Sequence, residues 1–179
     1  PATAPDALGL RNRLTGCNWI SRFVYGNGWA WAQDFKGAGK PGGGTENTYL
    51  DSVDLMYFAG HGNSGGILFG VGGNTHDGAW ATYQDCNMDW GDRDAEWVGL
   101  AACNVLADAH KGDWAWCMNG LRLILGFVTT MADVPHGDWF GRYICQGWNM
   151  TQAWFKAADA LQPHGKIARV LAEDNTYFN

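Results

Sequence analysis

Two residues of this chain have the types and the settings for covalent chemistry together. His61 stands between two glycines at the end of the apolar run "VDLMYFA", residues 53–59, and Cys103 closes a second run, "WVGLAA", residues 97–102. A thiolate is the reactive form of cysteine, and an adjacent imidazolium favours it. The same imidazole can then hand its proton to a leaving group. Taken singly, a histidine at a strand end opens a loop, and a cysteine serves as a small buried hydrophobe. The matched settings of the two make a Cys103–His61 pair the sharper reading.

For that pair to form, residues 53–59 and 97–102 must be neighbouring parallel strands. Both side chains then emerge at the carboxyl edge of the sheet, where ligands of open α/β folds gather. Gly62 would aim a backbone N–H at the substrate. With the N–H of Cys103 it would cradle an oxyanion, a contribution of roughly 3–4 kcal/mol per donor. A third apolar run, "ILGFVTTM" (124–131), is followed by Asp133, which is therefore expected at the same rim. Asp133, Asn63, Asn104 and Trp80 are the candidate substrate-binding residues. Trp90, Trp114 and Trp139 are further candidates to line a cleft, with core packing as the alternative for every tryptophan.

The succession "DLMYFAGHG", then "WVGLAACNV" with 42 residues from histidine to cysteine, resembles the caspase-like (clan CD) cysteine peptidases: caspases, metacaspases, legumain, gingipains, clostripain, separase and the CHAT domains. The spacing is close to the roughly 50 residues of caspases. The stretch from "NGLRLILGFVTTMAD" to "WFKAADAL" is similar to the CHAT succession of helix, strand and closing helix, so the likeness covers roughly residues 50–162. The resemblance implies a three-layer caspase-like sandwich, a His61–Cys103 dyad, an oxyanion site at Gly62 and Cys103, and hydrolysis of a peptide or amide bond through a thioester with no cofactor. Ala101 and Asn104 depart from the residues that caspases carry around their cysteine. Two alternatives stay open on the same scaffold: a cyclase or acyl transferase in a biosynthetic pathway, and a binding module whose dyad is vestigial.

The remaining elements must position this pair. Short apolar runs alternating with helical stretches predict an α/β fold with a mainly parallel sheet flanked by helices, as one domain over 1–179. Residues 1–16, with Pro1, Pro5 and Gly9, read as an irregular lead-in, and 17–33 as a strand or short hairpin. The segment 62–79 reads as a loop, a short strand and another loop. Apolar positions at Trp114, Cys117, Leu121 and Leu125 predict a helix beginning near Asp113. The region 137–162 reads as one or two amphipathic helices stopped by Pro163. The glycine-rich loop 37–45 lacks the spacing of a phosphate loop. The acidic stretch 84–96 reads as a solvated connection.

Composition narrows the partners. A formal charge of −6 with 12 Lys and Arg gives no basic footprint for nucleic acid or anionic membrane. No apolar run approaches the roughly 20 residues that span a bilayer. His76, His110, His136 and His164 show no zinc-binding spacing, so no metal is expected, and a peptide or other acyl-type molecule is the expected partner. Five cysteines without a CxxC pair do not suggest a disulfide framework, and Cys117 and Cys145 are expected in the core. The triplet Asn149-Met150-Thr151 fits a glycosylation acceptor at an expected helix start. The chain begins at Pro1, so a processed or truncated N-terminus is expected, and export is compatible with it.

Overall fold

Two uninterrupted apolar pentapeptides, "WVGLA" and "LILGF", form the centre of the molecule because strands buried on both faces need no polar alternation. The computed structural model describes residues 3–70, 79–173 and 177–178. In chain order the elements are α1 (Thr3–Thr15), β1 (Leu55–Ala59), β2 (His61–Asn63), β3 (Gly66–Leu68), β4 (Trp80–Thr82), α2 (Tyr83–Cys86), β5 (Trp97–Ala101), α3 (Lys111–Ala115), β6 (Leu123–Phe127), α4 (His136–Cys145), α5 (Met150–Leu161), β7 (Ala168–Ala172) and β8 (Tyr177–Phe178). The main sheet has the order β1-β5-β6-β7-β8. β1, β5 and β6 run parallel, and β7 and β8 each pair antiparallel with the strand before. The expected α/β fold with a mostly parallel central sheet is therefore observed.

Alternation in β1 divides the interior into two cores. Met56 and Phe58 face a cluster with Phe35, Ile67, Trp90, Trp114 and Leu121. Leu55, Tyr57 and Ala59 face the opposite cluster, built on Leu10, Phe140, Trp154 and Val170. Helices α1, α4 and α5 cover this second face. The first face is covered by a small antiparallel sheet, β2-β3-β4, with α2, α3 and two 3-10 turns, Ala32–Phe35 and Leu50–Ser52. Helices thus flank one side, and a mixed layer flanks the other.

Four expectations are corrected. The lead-in 1–16 is helix α1. Pro5 is tolerated in its first turns, and Asp6, Leu10 and Leu14, spaced by four, form its buried stripe. Gly9 is required by close packing, since a Cβ there would stand 3.1 Å from that of Asp138 on α4. Gly141 on α4 makes the reciprocal approach to Leu10 and Arg13. Residues 17–33 form no strand; they carry the 3-10 turn Asn27–Trp29, and Phe23 packs against Tyr25 and Tyr49 while Trp29 is exposed. Helix α3 ends before the periodic pattern does, because Gly120 turns the chain at φ 104° with its α-carbon packed on the Gly91 carbonyl. Finally, Cys145 is paired with Cys17 in a disulfide joining the C-terminal ends of α4 and α1. Cys86, Cys103 and Cys117 are free thiols.

Other expectations hold. α5 is N-capped by Asn149, whose side chain accepts from Gln152 N at 2.9 Å, and it stops just before Pro163. The acidic stretch 84–96 is a solvated connection only in part: Asp85 closes a capping box with Thr82 at α2, Asp89 pairs with Lys40, and Cys86, Trp90 and Ala95 are buried in the core.

The disulfide closes a loop of 128 residues around the sheet. The double variant Cys17→Ala/Cys145→Ala is expected to lose about 2–5 kcal/mol in denaturant unfolding. An unchanged midpoint would show that the packing of α1 on α4 suffices alone.

Candidate active site

The pairing of β1 with β5 sets the geometry. Their register aligns Phe58 with Leu100 and Ala59 with Ala101, and the ladder ends in a bond from Gly60 N to Ala101 O at 3.1 Å. Beyond that bond the strands part. The β1 chain turns into β2, and β5 turns sharply through Ala102 and Cys103 into Asn104. Asn104 takes the left-handed conformation at φ 58°, one that asparagine tolerates best after glycine. Asn104 N is bonded to Thr129 O and Leu106 N to Phe127 O, which ties this turn to the end of β6.

His61 and Cys103 consequently line one cleft of about 120 Å³, together with Asp6, Gly60, Met131 and Asp133. The imidazole is exposed and the thiol half-buried. Cys103 Sγ points at the Met131 carbonyl, 3.9 Å away. The segment bearing Met131 and Asp133 is clamped by Gln162 at the end of α5, which accepts from Ala132 N at 2.8 Å and donates to Ala132 O at 3.4 Å.

Gly62 is required by proximity. A Cβ there would stand 2.9 Å from both Ala102 Cβ and Val105 Cγ1, so only glycine lets β2 lie against the cysteine turn. Its N–H direction is set by the ladders. Phe69 N to Ala79 O and Tyr83 N to Gly65 O commit the odd-numbered residues of β3 to β4. His61 and Asn63 then make the bonds between β2 and β3, and Gly62 turns its N–H away from β3. The Cys103 N–H donates to no acceptor among the described residues. Of the two expected oxyanion donors, Cys103 lines the cleft, and Gly62 lies next to the lining residue His61 without itself being one.

The other candidates divide. Asp133 lies on the cleft wall, as expected from its place after the third strand. Asn63 Oδ1 is taken by Gly65 N and Gly66 N, closing the β2–β3 turn. Asn104 shapes the cysteine turn, and Trp80 sits on β4 opposite Leu68; neither lines the cleft. Trp90 and Trp114 are fully buried, and Trp139 stacks beneath Arg142. His136 is buried among Phe127, Phe140 and Trp154, and its burial pushes its pKa down to about 3. His110 pairs with Asp113, and His76 lies outside the described residues. Among the described residues no three His, Cys, Asp or Glu side chains converge as metal ligands.

Sequence reasoning missed Asp6. This residue of α1 is 5% exposed; its carboxylate accepts from Gly137 N at 2.5 Å and from the Tyr57 hydroxyl at 2.8 Å. It thereby caps the start of α4 from outside that helix. Gly99 on β5 leaves the room that the Tyr57 ring needs. The signal was present in the spacing Asp6, Leu10, Leu14, masked by Pro5 and Gly9. Burial pushes the Asp6 carboxyl up to about 6 against the pull of those two hydrogen bonds, and the charges of Asp133 and Asp138 add to the rise.

A carboxyl whose native pKa lies above its unfolded value near 3.8 holds its proton more tightly when folded. Its stabilising contribution is complete below about pH 4 and is lost as pH rises through about 6. Asp6→Asn is therefore expected to remove a pH dependence of about 2–3 kcal/mol between pH 4 and 7, read as the difference between wild-type and variant unfolding curves. Parallel curves would contradict the burial of this charge.

Similarity to other proteins extends over almost the whole chain. An uncharacterized protein of Archaeoglobus fulgidus is 25% identical over 190 residues, covering 90% of this chain and 68% of the relative. The model of a domain of unknown function, DUF6345, matches residues 1–178, and the chain belongs to that family.

Proposed function

We propose that this chain is a cysteine-dependent hydrolase of caspase-like fold, cleaving a peptide or amide bond with Cys103 as nucleophile and His61 as proton carrier. One observation carries the reading. Adjacent parallel strands deliver an imidazole and a thiol into the same cleft, with the N–H of Gly62 turned away from its hairpin and that of Cys103 unengaged among the described residues.

In the first half-reaction the Cys103 thiolate attacks the carbonyl carbon, and the resulting oxyanion takes hydrogen bonds from the Gly62 and Cys103 N–H groups. The C–N bond breaks as His61 donates its proton to the departing amine, leaving a thioester on Cys103. In the second, His61 takes a proton from water, whose oxygen attacks the thioester. The acid is released and the thiol restored. Peptide and water are consumed; acid and amine are formed. Asp133, together with Asp6 at the floor, gives the cleft a negative lining, which favours a cationic side chain next to the scissile bond.

Cys86 and Cys117 are fully buried, so thiol chemistry on the folded protein reads Cys103 alone. Iodoacetamide at pH 6 is expected to alkylate Cys103 at least tenfold faster than free cysteine, and His61→Ala is expected to abolish that advantage. Incubation with a casein digest in H₂¹⁸O should yield new C-termini carrying one ¹⁸O, and Cys103→Ala should yield none. Products without ¹⁸O would point to cyclisation or transfer. A thiol no faster than free cysteine, with no products, would overturn the enzyme reading.

A further inference from the structure

β1 is the last strand of its sheet, and among the described residues no strand pairs with its outer side. Trp97 N bonds Asp54 O at 3.0 Å, and Gly60 N bonds Ala101 O at 3.1 Å, which commits the even-numbered residues of this stretch to β5. Leu55, Tyr57 and Ala59 therefore turn their N–H and C=O groups outward. Nothing in "LMYFA" discourages strand addition: it has no proline, no charge and no bulge, the devices by which exposed edges are protected.

This edge is the floor of a groove of about 1200 Å³. The unbroken run 52–61 lines it from end to end. One wall is helix α1, through Ala7, Leu10 and Leu14. The other is the segment around Phe23 and Tyr25, whose neighbour Ile20 is 84% exposed at the rim. The groove reaches His61, and Ala59, Gly60 and His61 line both it and the Cys103 cleft. Its charged lining is mixed, Arg11 and Arg22 against Asp34, Asp54 and Asp94, so no single sign of ligand charge is favoured. The recognition features that remain are a strand edge about 17 Å long and apolar walls.

From this arrangement we infer that the outer edge of β1 is the docking rail for the polypeptide substrate, which adds as an extended strand on Leu55, Tyr57 and Ala59 and is led past His61 to Cys103. The inference rests on the hydrolase reading and gives it a substrate form: an unfolded stretch of polypeptide held mainly by its backbone, with broad tolerance of side chains along the rail. A single strand is favoured as occupant over a second copy of the chain, because the edge lies between two walls, α1 and the segment around Phe23 and Tyr25.

The test uses the Cys103→Ala protein, a casein digest as probe, and amide hydrogen exchange resolved by residue. Added peptide is expected to slow exchange at Leu55, Tyr57 and Ala59 at least tenfold, leaving Met56 and Phe58, already bonded to β5, unchanged. Leu55→Pro, which removes an outward N–H and no bond to β5, is expected to raise KM about tenfold without changing the rate at which iodoacetamide alkylates Cys103. The amide readout stands even if that variant folds poorly. Hydrolysis of the digest without protection of the three amides overturns the rail while leaving the hydrolase intact. Protection without hydrolysis supports the rail and removes the enzyme. Protection that grows with protein concentration and needs no peptide assigns the edge to a second copy. Protection already complete in a longer form of the chain assigns it to the protein's own sequence. Either of these last two results overturns the proposal.

Discussion

The side-by-side parallel pairing of β1 and β5 is the constraint on which the candidate site depends. A parallel ladder brings two distant segments into register with their carboxyl ends at one edge, and the bond from Gly60 N to Ala101 O fixes where they separate. A shift of one residue in that register would send Met56 and Phe58 to the helical face and Tyr57 to the opposite one. Tyr57 could not then reach Asp6. His61 and Cys103 share a cleft because the two apolar pentapeptides before them have equal length and a single way to bury both faces.

Around that pairing, the site is assembled by approaches too close for any side chain. Gly62 lies against Ala102 and Val105, Gly99 admits Tyr57, and Gly141 and Gly9 let α4 and α1 meet. The polar contacts then orient what the glycines bring together. Asp6 joins α1, β1 and α4 through one carboxylate, and Gln162 fixes the segment over the cysteine from the end of α5. The N-terminal helix and two consecutive helices near the other end of the chain thus support one small cleft, although the two proposed reacting side chains sit just beyond the ends of β1 and β5.

The strands were legible because burial on two faces leaves an unmixed apolar signature, as in "LILGF", and α5 because Asn149 and Pro163 mark its ends. Asp133 was legible for a related reason: a residue just past the end of a third parallel strand must emerge at the same edge. Helix α1 was not, since its buried stripe contains an aspartate and its sequence contains Pro5 and Gly9, which signal disorder unless the partner helix is known. The Cys17–Cys145 pairing was hidden with it, because two cysteines 128 residues apart meet only once α1 lies on α4. The false continuation of α3 shows the converse error: Leu121 and Leu125 keep helical spacing, but Gly120 packs against Gly91 and redirects the chain into β6.

The same disulfide has a topological consequence. It makes residues 17 to 145 a covalent ring that contains β1, β5, β6, the cysteine turn and the glycine-rich loop at 37–45. A single backbone cut anywhere within that ring leaves one molecule, with both fragments still joined at the ends of α1 and α4. For a chain read as a peptidase, a nick of its own making in an exposed loop would not release a fragment. It would convert a closed ring into a two-chain molecule with its helices still fastened, and only a reductant would reveal that the chain had been divided.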